Sequence, residues 1–594
     1  MTRIIDALDD GPPRRLQEAR PLFIRPSQLN TVRLMHDPHV FDEARWFDTT
    51  PGARPVQANN EVTYLIRGQE TYQHMAEAIR STTRPNARVD PNSPPFIYLA
   101  GWGMGDIHFK LVPGDPSSSI EQLFTSASSA GVEIRVMLWA NVKGPGQPFT
   151  TSQVRFFNSL PTGRAILDNK TGVFVVVDRT FFVRRGAHHQ KVMIVNGDQG
   201  LQAFCGGVDI TEDRMDANAG GFGLGLHDVH CKVRGAAARE LLTVFSQRWD
   251  DYVNGPDDVD FTIPSTLPEL HHDPERPAVG RADLLLRNQL AADRPSFKPA
   301  PFPPGNAFVQ VGRTFHRRLH HRFAYKGEQT VKRAILKAIA EARQFIYIED
   351  QYLVNMEASN ALKAAIAKDS FKHLIILIPD DGGLEGEFFG QAPFRRARFI
   401  KNLTGAPGGH KVHVLARDRY IHSKIYIVDD RLAVIGSANC NRRGWEHDSE
   451  AICVITDRSS AERPALHFAR RLRMRLWADH LNLRQNLGLG NVPFNPNLPD
   501  GEDADFAELA DGVASAIHWI SIPPNSHIHP YVVNDDFNHA LAGLRKQIPG
   551  TDADGTPPGV VPSVRRAVVN LLIRPSTVDL LWDELIDPAS PLDP

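Results

Sequence analysis

The sequence predicts an α/β protein of two similar lobes, each a mixed β-sheet flanked by helices, with one site shared at the lobe interface. Three observations predict it. Strand-like apolar runs alternate with helical stretches along most of the chain. The order of those runs in the first half recurs in the second. Each half carries one His-x-Lys triplet, at His189/Lys191 and at His422/Lys424. Strands alternating with helices place helices on both faces of a sheet, and self-similarity at a long period marks duplicated units.

The elements follow in order. Val62–Arg67 (VTYLIR) reads as a strand, and the next stretch puts Tyr72, Met75, Ala76 and Ile79 on one helical face. Phe96–Leu99 (FIYL) is a second strand. In the second half, Phe308–Arg313 (FVQVGR), the helix GEQTVKRAILKAIAEA and Phe345–Ile348 (FIYI) repeat that order. Val132–Leu138 then corresponds to His373–Ile378, and Phe174–Val177 to Val412–Leu415. Each half closes with a His-x-Lys strand, a glycine-containing turn and a long helix, Ala236–Trp249 or Pro464–Trp477. The chain therefore divides into an N-terminal extension (1–58), a first lobe (59–255), a linker rich in Pro, Asp and His (256–304), a second lobe (305–489) and a C-terminal region of no assigned role (490–594).

A chain of 594 residues has room for two large units. Its net charge of −2 disfavours nucleic acid as a partner. The four cysteines, Cys205, Cys231, Cys440 and Cys453, form no CxxC pair and read as buried apolar side chains in a reducing compartment. The start, MTRIIDALDDGPPRRLQEAR, lacks the apolar segment of a Sec signal. No apolar run reaches the roughly 18 residues of a spanning helix. The expectation is a soluble chain, cytoplasmic or exported by a specialised secretion system, that meets any lipid from the water side.

The two motif copies read HQKVMIVN from His189 and HSKIYIVD from His422. On a strand, residues two apart share a face, so each His and its Lys point together. The turns that follow are Gly206-Gly207-Val208-Asp209 and Gly436-Ser437-Ala438-Asn439, where glycine lets backbone approach an anion. This pattern resembles the phospholipase D superfamily, whose signature is a pair of H-x-K-x4-D motifs each followed by such a turn. The flanks HDVHCKVRG, FSQRW, FIYIEDQYL, GSANCNRRG and RLRMRLW resemble eukaryotic-type members, over about residues 60–255 and 305–480. One HxK is common by chance, whereas two in register with these flanks are specific.

Phosphodiester cleavage needs a nucleophile, a proton for the leaving alcohol and positive charge around the phosphoryl oxygens. One neutral imidazole can attack phosphorus and a protonated one can serve the leaving group. Lys191 and Lys424 would hold the non-bridging oxygens, with Asn439, Ser437 and Asp209 of the two turns completing the phosphate site. The resemblance implies His189 as nucleophile and His422 as general acid, although the near-symmetric residues alone leave the roles open. It also implies Asp228 as the carboxylate behind His189 and Glu450 as the one behind His422. The two lysines make a cofactor unnecessary for the chemistry, leaving calcium a role only in membrane docking. Asn196 and Asp429 close the motifs seven residues past each His, roughly 20 Å along a strand, and are expected to be structural. Asn196 departs from the signature Asp, and the first turn lies three residues farther from its His, implying a longer hairpin.

Other histidines read as structural. His188 alternates to the face opposite His189. The groups His271/His272, His316/His320/His321 and His527/His529 lack a supporting Cys or carboxylate pattern and read as surface residues. Phe388, Phe389 and Phe394, before Arg395, Arg396 and Arg398, fit either a lipid-dipping loop or one folding its aromatics inward. The expected activity is phospholipase D: hydrolysis of phosphatidylcholine-like lipids to phosphatidic acid, or head-group exchange, at a phospholipid surface. The alternatives are a nuclease or other phosphodiesterase of the superfamily, and a non-catalytic lipid-binding scaffold. Retention of both His and both Lys opposes the last.

Overall fold

The computed structural model describes residues 43–88, 90–139, 150–168, 174–177, 181–184, 187–215, 225–254, 290–299, 304–316, 321–380, 391–417, 419–458, 467–482, 526–531 and 533. A short helix α1 (Glu43–Trp46) precedes the first repeat. That repeat runs β1 (Val56–Ile66), α2 (Arg67–Ser81), β2 (Phe96–Gly101), α3 (Ile120–Ser129), β3 (Glu133–Trp139), α4 (Thr150–Ser159) and β4 (Gly163–Asp168). It continues through the hairpin β5 (Phe174–Val177) and β6 (Phe181–Arg184), then β7 (Val192–Gly197), β8 (Gly200–Gly206), β9 (Val229–Arg234) and α5 (Ala236–Asn254). The second repeat runs β10 (Ala307–Phe315), β11 (Glu328–Gln329), α6 (Thr330–Glu341), β12 (Phe345–Glu349), α7 (Met356–Ile366), β13 (His373–Pro379), α8 (Gln391–Thr404) and β14 (Val412–Arg417). It ends with β15 (Ile425–Val428), β16 (Leu432–Gly436), β17 (Glu450–Asp457) and α9 (Phe468–His480), and a late strand β18 (Ile528–Pro530) follows.

The strands form one 16-stranded sheet in the order β18-β14-β13-β12-β15-β16-β17-β10-β1-β9-β8-β7-β2-β3-β4, with β11 beside β10. The order reads the same outward in both directions from the antiparallel β1/β10 seam, where Val56 faces Gln310. Each lobe is thus a mixed sheet: β2, β3 and β4 run parallel, as do β12, β13 and β14, and the remaining ladders are antiparallel.

The sheet is covered on both faces, which explains its unbroken apolar strands. In β7, Val192 and Ile194 face a core shared with Leu241 and Phe245 of α5 and Leu472 and Leu476 of α9, reaching across both lobes. Met193 and Val195 face the other way, onto the core under Tyr72 and Met75 of α2. In β15, Ile425 and Ile427 join the shared core, whereas Tyr426 and Val428 pack under α6 and α7. All four α2 residues placed on one face by periodicity are buried.

Several expectations change. Phe174–Val177 is not the counterpart of Val412–Leu415: it pairs only with β6 in a separate hairpin. The counterpart is β4, which pairs parallel with β3 as β14 does with β13; strand-like composition does not reveal which run extends the sheet. β1 begins at Val56, inside the proposed extension, and Trp46 and Phe47 pack into the second lobe. Within the proposed linker, Leu290 and Ala291 are buried in the shared core. From the C-terminal region, β18 pairs with β14 and Tyr531 is buried.

His316 and His321 are buried rather than on the surface. His316 stacks on His447 with centroids 4.2 Å apart, and His321 Nδ1 lies 2.7 Å from Asp251. His271, His272, His320 and the Phe388, Phe389 and Phe394 side chains lie outside the described residues. Arg396 points inward onto the Gln351 and Tyr352 carbonyls. Cys205, Cys231, Cys440 and Cys453 are all buried free thiols. Among the described residues no helix is long and apolar enough to cross a membrane.

Candidate active site

The His-x-Lys triplets do not sit on strands but in extended segments just before β7 and β15, whose ladders start at Val192 and Ile425. Leaving the ladder is what lets each triplet reach the opposite lobe. His188 bridges in parallel to Ser449, with His189 N donating to the Ser449 carbonyl at 2.9 Å. His227 bridges likewise to Ile421, and His422 N donates to the His227 carbonyl at 2.8 Å. Each catalytic-type histidine is therefore tied by backbone to the segment that precedes the last sheet strand of the other lobe.

That crossing reverses the expected carboxylate pairing. His189 Nδ1 lies 2.9 Å from Glu450 Oε1, and His422 Nδ1 lies 2.7 Å from Asp228 Oδ2. Asp228 and Glu450 stand immediately before or at the start of β9 and β17, so chain proximity placed them in their own lobes while the bridges deliver them across. Both carboxylates are fully buried. Gly207 makes room for one of them: a Cβ there would lie 2.0 Å from Asp228 Oδ1.

The remaining expected residues divide. Lys191 Nζ lies 3.1 Å from Asp209 Oδ2, whose Oδ1 accepts from the Trp102 and Gly103 amides. Asp209 therefore stands behind the lysine and does not line a phosphate site, since a second anion there would repel the substrate. Lys424 Nζ donates to Gln351 Oε1 at 3.1 Å and to its own His422 carbonyl. The Ser437 hydroxyl is committed to the Glu450 carboxylate and the Ala451 carbonyl, so it positions Glu450 and is not free to donate to a phosphate. The Asn439 side-chain oxygen is buried with no hydrogen-bond partner. The motif-closing residues are structural: the Asn196 amide donates to Ser93 and Pro94 carbonyls, and Asp429 accepts the Arg343, Gln344 and Phe345 amides. His188 is bonded to Ser449 and lies 2.9 Å from Asp168, away from the site. The β7–β8 hairpin is longer than β15–β16, as its spacing implied.

Electrostatics follow from this burial. Burial first, then the positive charges of Lys191 and Lys424, holds His189 well below the ordinary imidazole value. His422 is depressed by burial, then by Arg214, Lys424, Lys191 and His189. Each imidazole thus feels both lysines, so the two motifs act as one electrostatic unit. Burial pushes Asp228 up to about 6, with Lys424 and Arg214 opposing it. Burial, with Asp448 adding to it, pushes Glu450 up to about 8, and burial lowers Lys424 to about 7 against the attraction of Asp228. The proton between Glu450 and His189 belongs to the pair.

Sequence reasoning missed two groups. Arg214, buried, brings Nη2 to 3.4 Å from His422 Nε2; only its place five residues after Asp209 hinted at it. His227, Glu349 and His480 form the one described cluster with a metal-type donor set. Both Nε2 atoms donate to Glu349, at 2.9 and 2.8 Å, and Arg417 approaches both Nδ1 atoms at 3.0 and 2.7 Å. With a fixed guanidinium on the far side of each ring, the cluster is satisfied as an ion-pair clasp between the lobes.

The family described as Phospholipase D matches residues 217–378, and that described as Cardiolipin synthase, PLD-like domain, matches residues 335–472. The chain belongs to the phospholipase D superfamily. It is 24% identical over 604 residues to Phospholipase D beta 1 of Arabidopsis thaliana, covering 76% of this chain and 51% of that one. It is 25% identical over 500 residues to Phospholipase D A of Dictyostelium discoideum, covering 72% and 36%. The chain thus spans about half the length, or less, of these two relatives. Among solved structures, phosphatidylserine synthase of Haemophilus influenzae Rd KW20 aligns with 13% identity and a TM-score of 0.44, over 78% of this chain and 94% of that one. Within the superfamily, the two lobes supply one motif each to a single phosphodiesterase-type site.

Proposed function

We propose that the chain is a phospholipase D that converts glycerophospholipids such as phosphatidylcholine to phosphatidic acid and the head-group alcohol. The observation that carries this reading is the crosswise pair of imidazole–carboxylate couples, His189–Glu450 and His422–Asp228, flanked by Lys191 and Lys424.

His189 Nε2 attacks phosphorus while Glu450 holds Nδ1. The P–O bond to the head group breaks, and the leaving oxygen takes a proton from His422 Nε2. Water then attacks the phosphohistidine and gives its proton back to His422. The P–N bond breaks, and His189 is regenerated. The lysines balance charge on the non-bridging oxygens throughout, with the Asn439 side-chain N–H as a further donor. Among the described residues nothing hydrogen-bonds His189 Nε2, whereas His422 Nε2 faces Arg214, which supports His189 as the attacking ring. In this reading no cofactor takes part in the chemistry, the protein docks peripherally on a phospholipid surface, and calcium acts, if at all, in docking.

The test is incubation with a short-chain phosphatidylcholine in water and in dilute ethanol. Phosphatidic acid in the first and phosphatidylethanol in the second are expected. Cleavage of single-stranded DNA with no lipid turnover would favour the nuclease alternative and overturn this one.

A further inference from the structure

Arg214 comes from the first lobe yet ends at the reactive nitrogen of the second lobe's imidazole. Its Nη1 lies 2.6 Å from Asp213 Oδ2, its Nε 3.4 Å from Asp228 Oδ2 and its Nη2 3.4 Å from His422 Nε2. The placement is built in. The backbone of Arg214 presses on α2 at Gly68, where a Cβ would lie 2.5 Å from the Arg214 carbonyl oxygen. The Tyr72 hydroxyl ties down the preceding turn through the Asp209 and Thr211 carbonyls.

The contact conflicts with the acid role of His422. With Nδ1–H donated to Asp228, the lone pair of His422 sits on Nε2, and Arg214 offers it an N–H. An arginine does not deprotonate in a protein, so it can only donate, and while it does Nε2 cannot carry the proton the leaving group needs. At 3.4 Å the bond is long and weak. A guanidinium fork binds a phosphate in two-pronged fashion far better than it binds one imidazole nitrogen.

We propose that Arg214 is a third phosphate-binding cation of this site, one that caps His422 Nε2 while the site is empty and turns to the non-bridging oxygens when a phosphodiester enters. Release of the cap frees Nε2 to take a proton from solvent, so His422 becomes an acid only with substrate present. Five charged or titratable groups face His422: Arg214, Lys424, Lys191 and His189, which disfavour its charged form, and Asp228, which accepts its Nδ1–H. An entering phosphate offsets the first four together. The proposal deepens the phosphodiesterase reading by resting on His422 as the acid, but the anion-binding half of it stands without any lipid activity.

The experiment uses the full chain, with inorganic phosphate as the probe, in wild type, Arg214→Gln and Arg214→Lys. Phosphate affinity is measured by calorimetry, and His422 is followed by 15N-histidine NMR across pH with and without phosphate. In Arg214→Gln, phosphate affinity is expected to fall at least ~10-fold, about one charge-assisted bidentate contact. His422 in the phosphate-free protein is expected to titrate at higher pH, because a cation has left Nε2. Arg214→Lys keeps the charge without the fork, so it should restore the His422 titration but only part of the affinity. A cation that only positions or depresses His422 would shift the titration and leave phosphate binding alone, so wild-type phosphate affinity in a folded Arg214→Gln overturns the proposal, whatever the His422 titration does. If Arg214→Gln does not fold, wild-type phosphate affinity in Arg214→Lys overturns it. Lipid turnover absent from the wild type, with the phosphate results as expected, would remove the phospholipase reading and leave this one.

Discussion

Replacing Asp228 by Asn keeps the side-chain volume and removes the charge that faces His422 Nδ1 at 2.7 Å. Both partners are buried, so solvent does not screen the loss. A hydrogen bond to a charged group contributes about 1.5–3 kcal/mol, which is about 10- to 150-fold in rate at ~1.36 kcal/mol per tenfold. The amide can also present its NH2 to the ring and select the wrong tautomer, and in a serine-protease triad that exchange costs about 10⁴-fold. Glu450→Gln should cost as much, through His189 at 2.9 Å. Leaving-group chemistry separates the two. Choline leaves as an alkoxide and needs the proton of His422, whereas p-nitrophenolate leaves without one. With a short-chain phosphatidyl-p-nitrophenol, the Asp228→Asn defect in kcat/KM, which reports the first displacement, should shrink to within a few-fold of wild type, and the Glu450→Gln defect should persist because attack by His189 is still required. Steady-state kinetics on the two substrates decide it. Rescue of Glu450→Gln but not of Asp228→Asn by the phenol substrate would refute the crosswise assignment of roles.

Four further outcomes are expected. His189→Ala and His422→Ala should each lower turnover of phosphatidylcholine by at least ~10³-fold, because residues acting as a unit fail together; a variant retaining a tenth of wild-type kcat would sink the shared site. Gly207→Ala should lower kcat and leave the melting temperature within a few degrees, because the new methyl meets the Asp228 carboxylate, and combined with Asp228→Asn it should add little. The pH profile of kcat/KM should be narrow and near neutral: activity falls with falling pH as Glu450 and Asp228, raised to about 8 and about 6, take up protons, and falls with rising pH as Lys424, lowered to about 7, loses its own. Lys424→Arg, whose charge persists, should flatten the alkaline limb. Activity on a soluble short-chain substrate should survive EDTA, since the lysines supply the phosphate's counter-charge; loss restored by one divalent ion would contradict this.

The residues of the candidate site were legible because their constraints are local. His-x-Lys spacing, the glycine turns and the apolar runs of β7 and β15 each involve a few consecutive residues, and their recurrence in one order predicted two lobes. The structural roles of Asn196 and Asp429 followed from strand length alone. What the sequence could not carry was the crossing between lobes. The parallel bridges His188–Ser449 and His227–Ile421 join segments about 200 residues apart or more, and no local pattern encodes which lobe's carboxylate a bridge will deliver. The pairing of His189 with Glu450 and of His422 with Asp228, the position of Asp209 behind Lys191 and the reach of Arg214 onto His422 all depend on that crossing. So does the choice of Gly163–Asp168 over Phe174–Val177 as the fourth repeated strand, because a hydrogen-bonding partner belongs to the sheet and not to the run of residues. Side-chain type and spacing determined the candidate groups, and the joining of two lobes across one seam decided which group faces which.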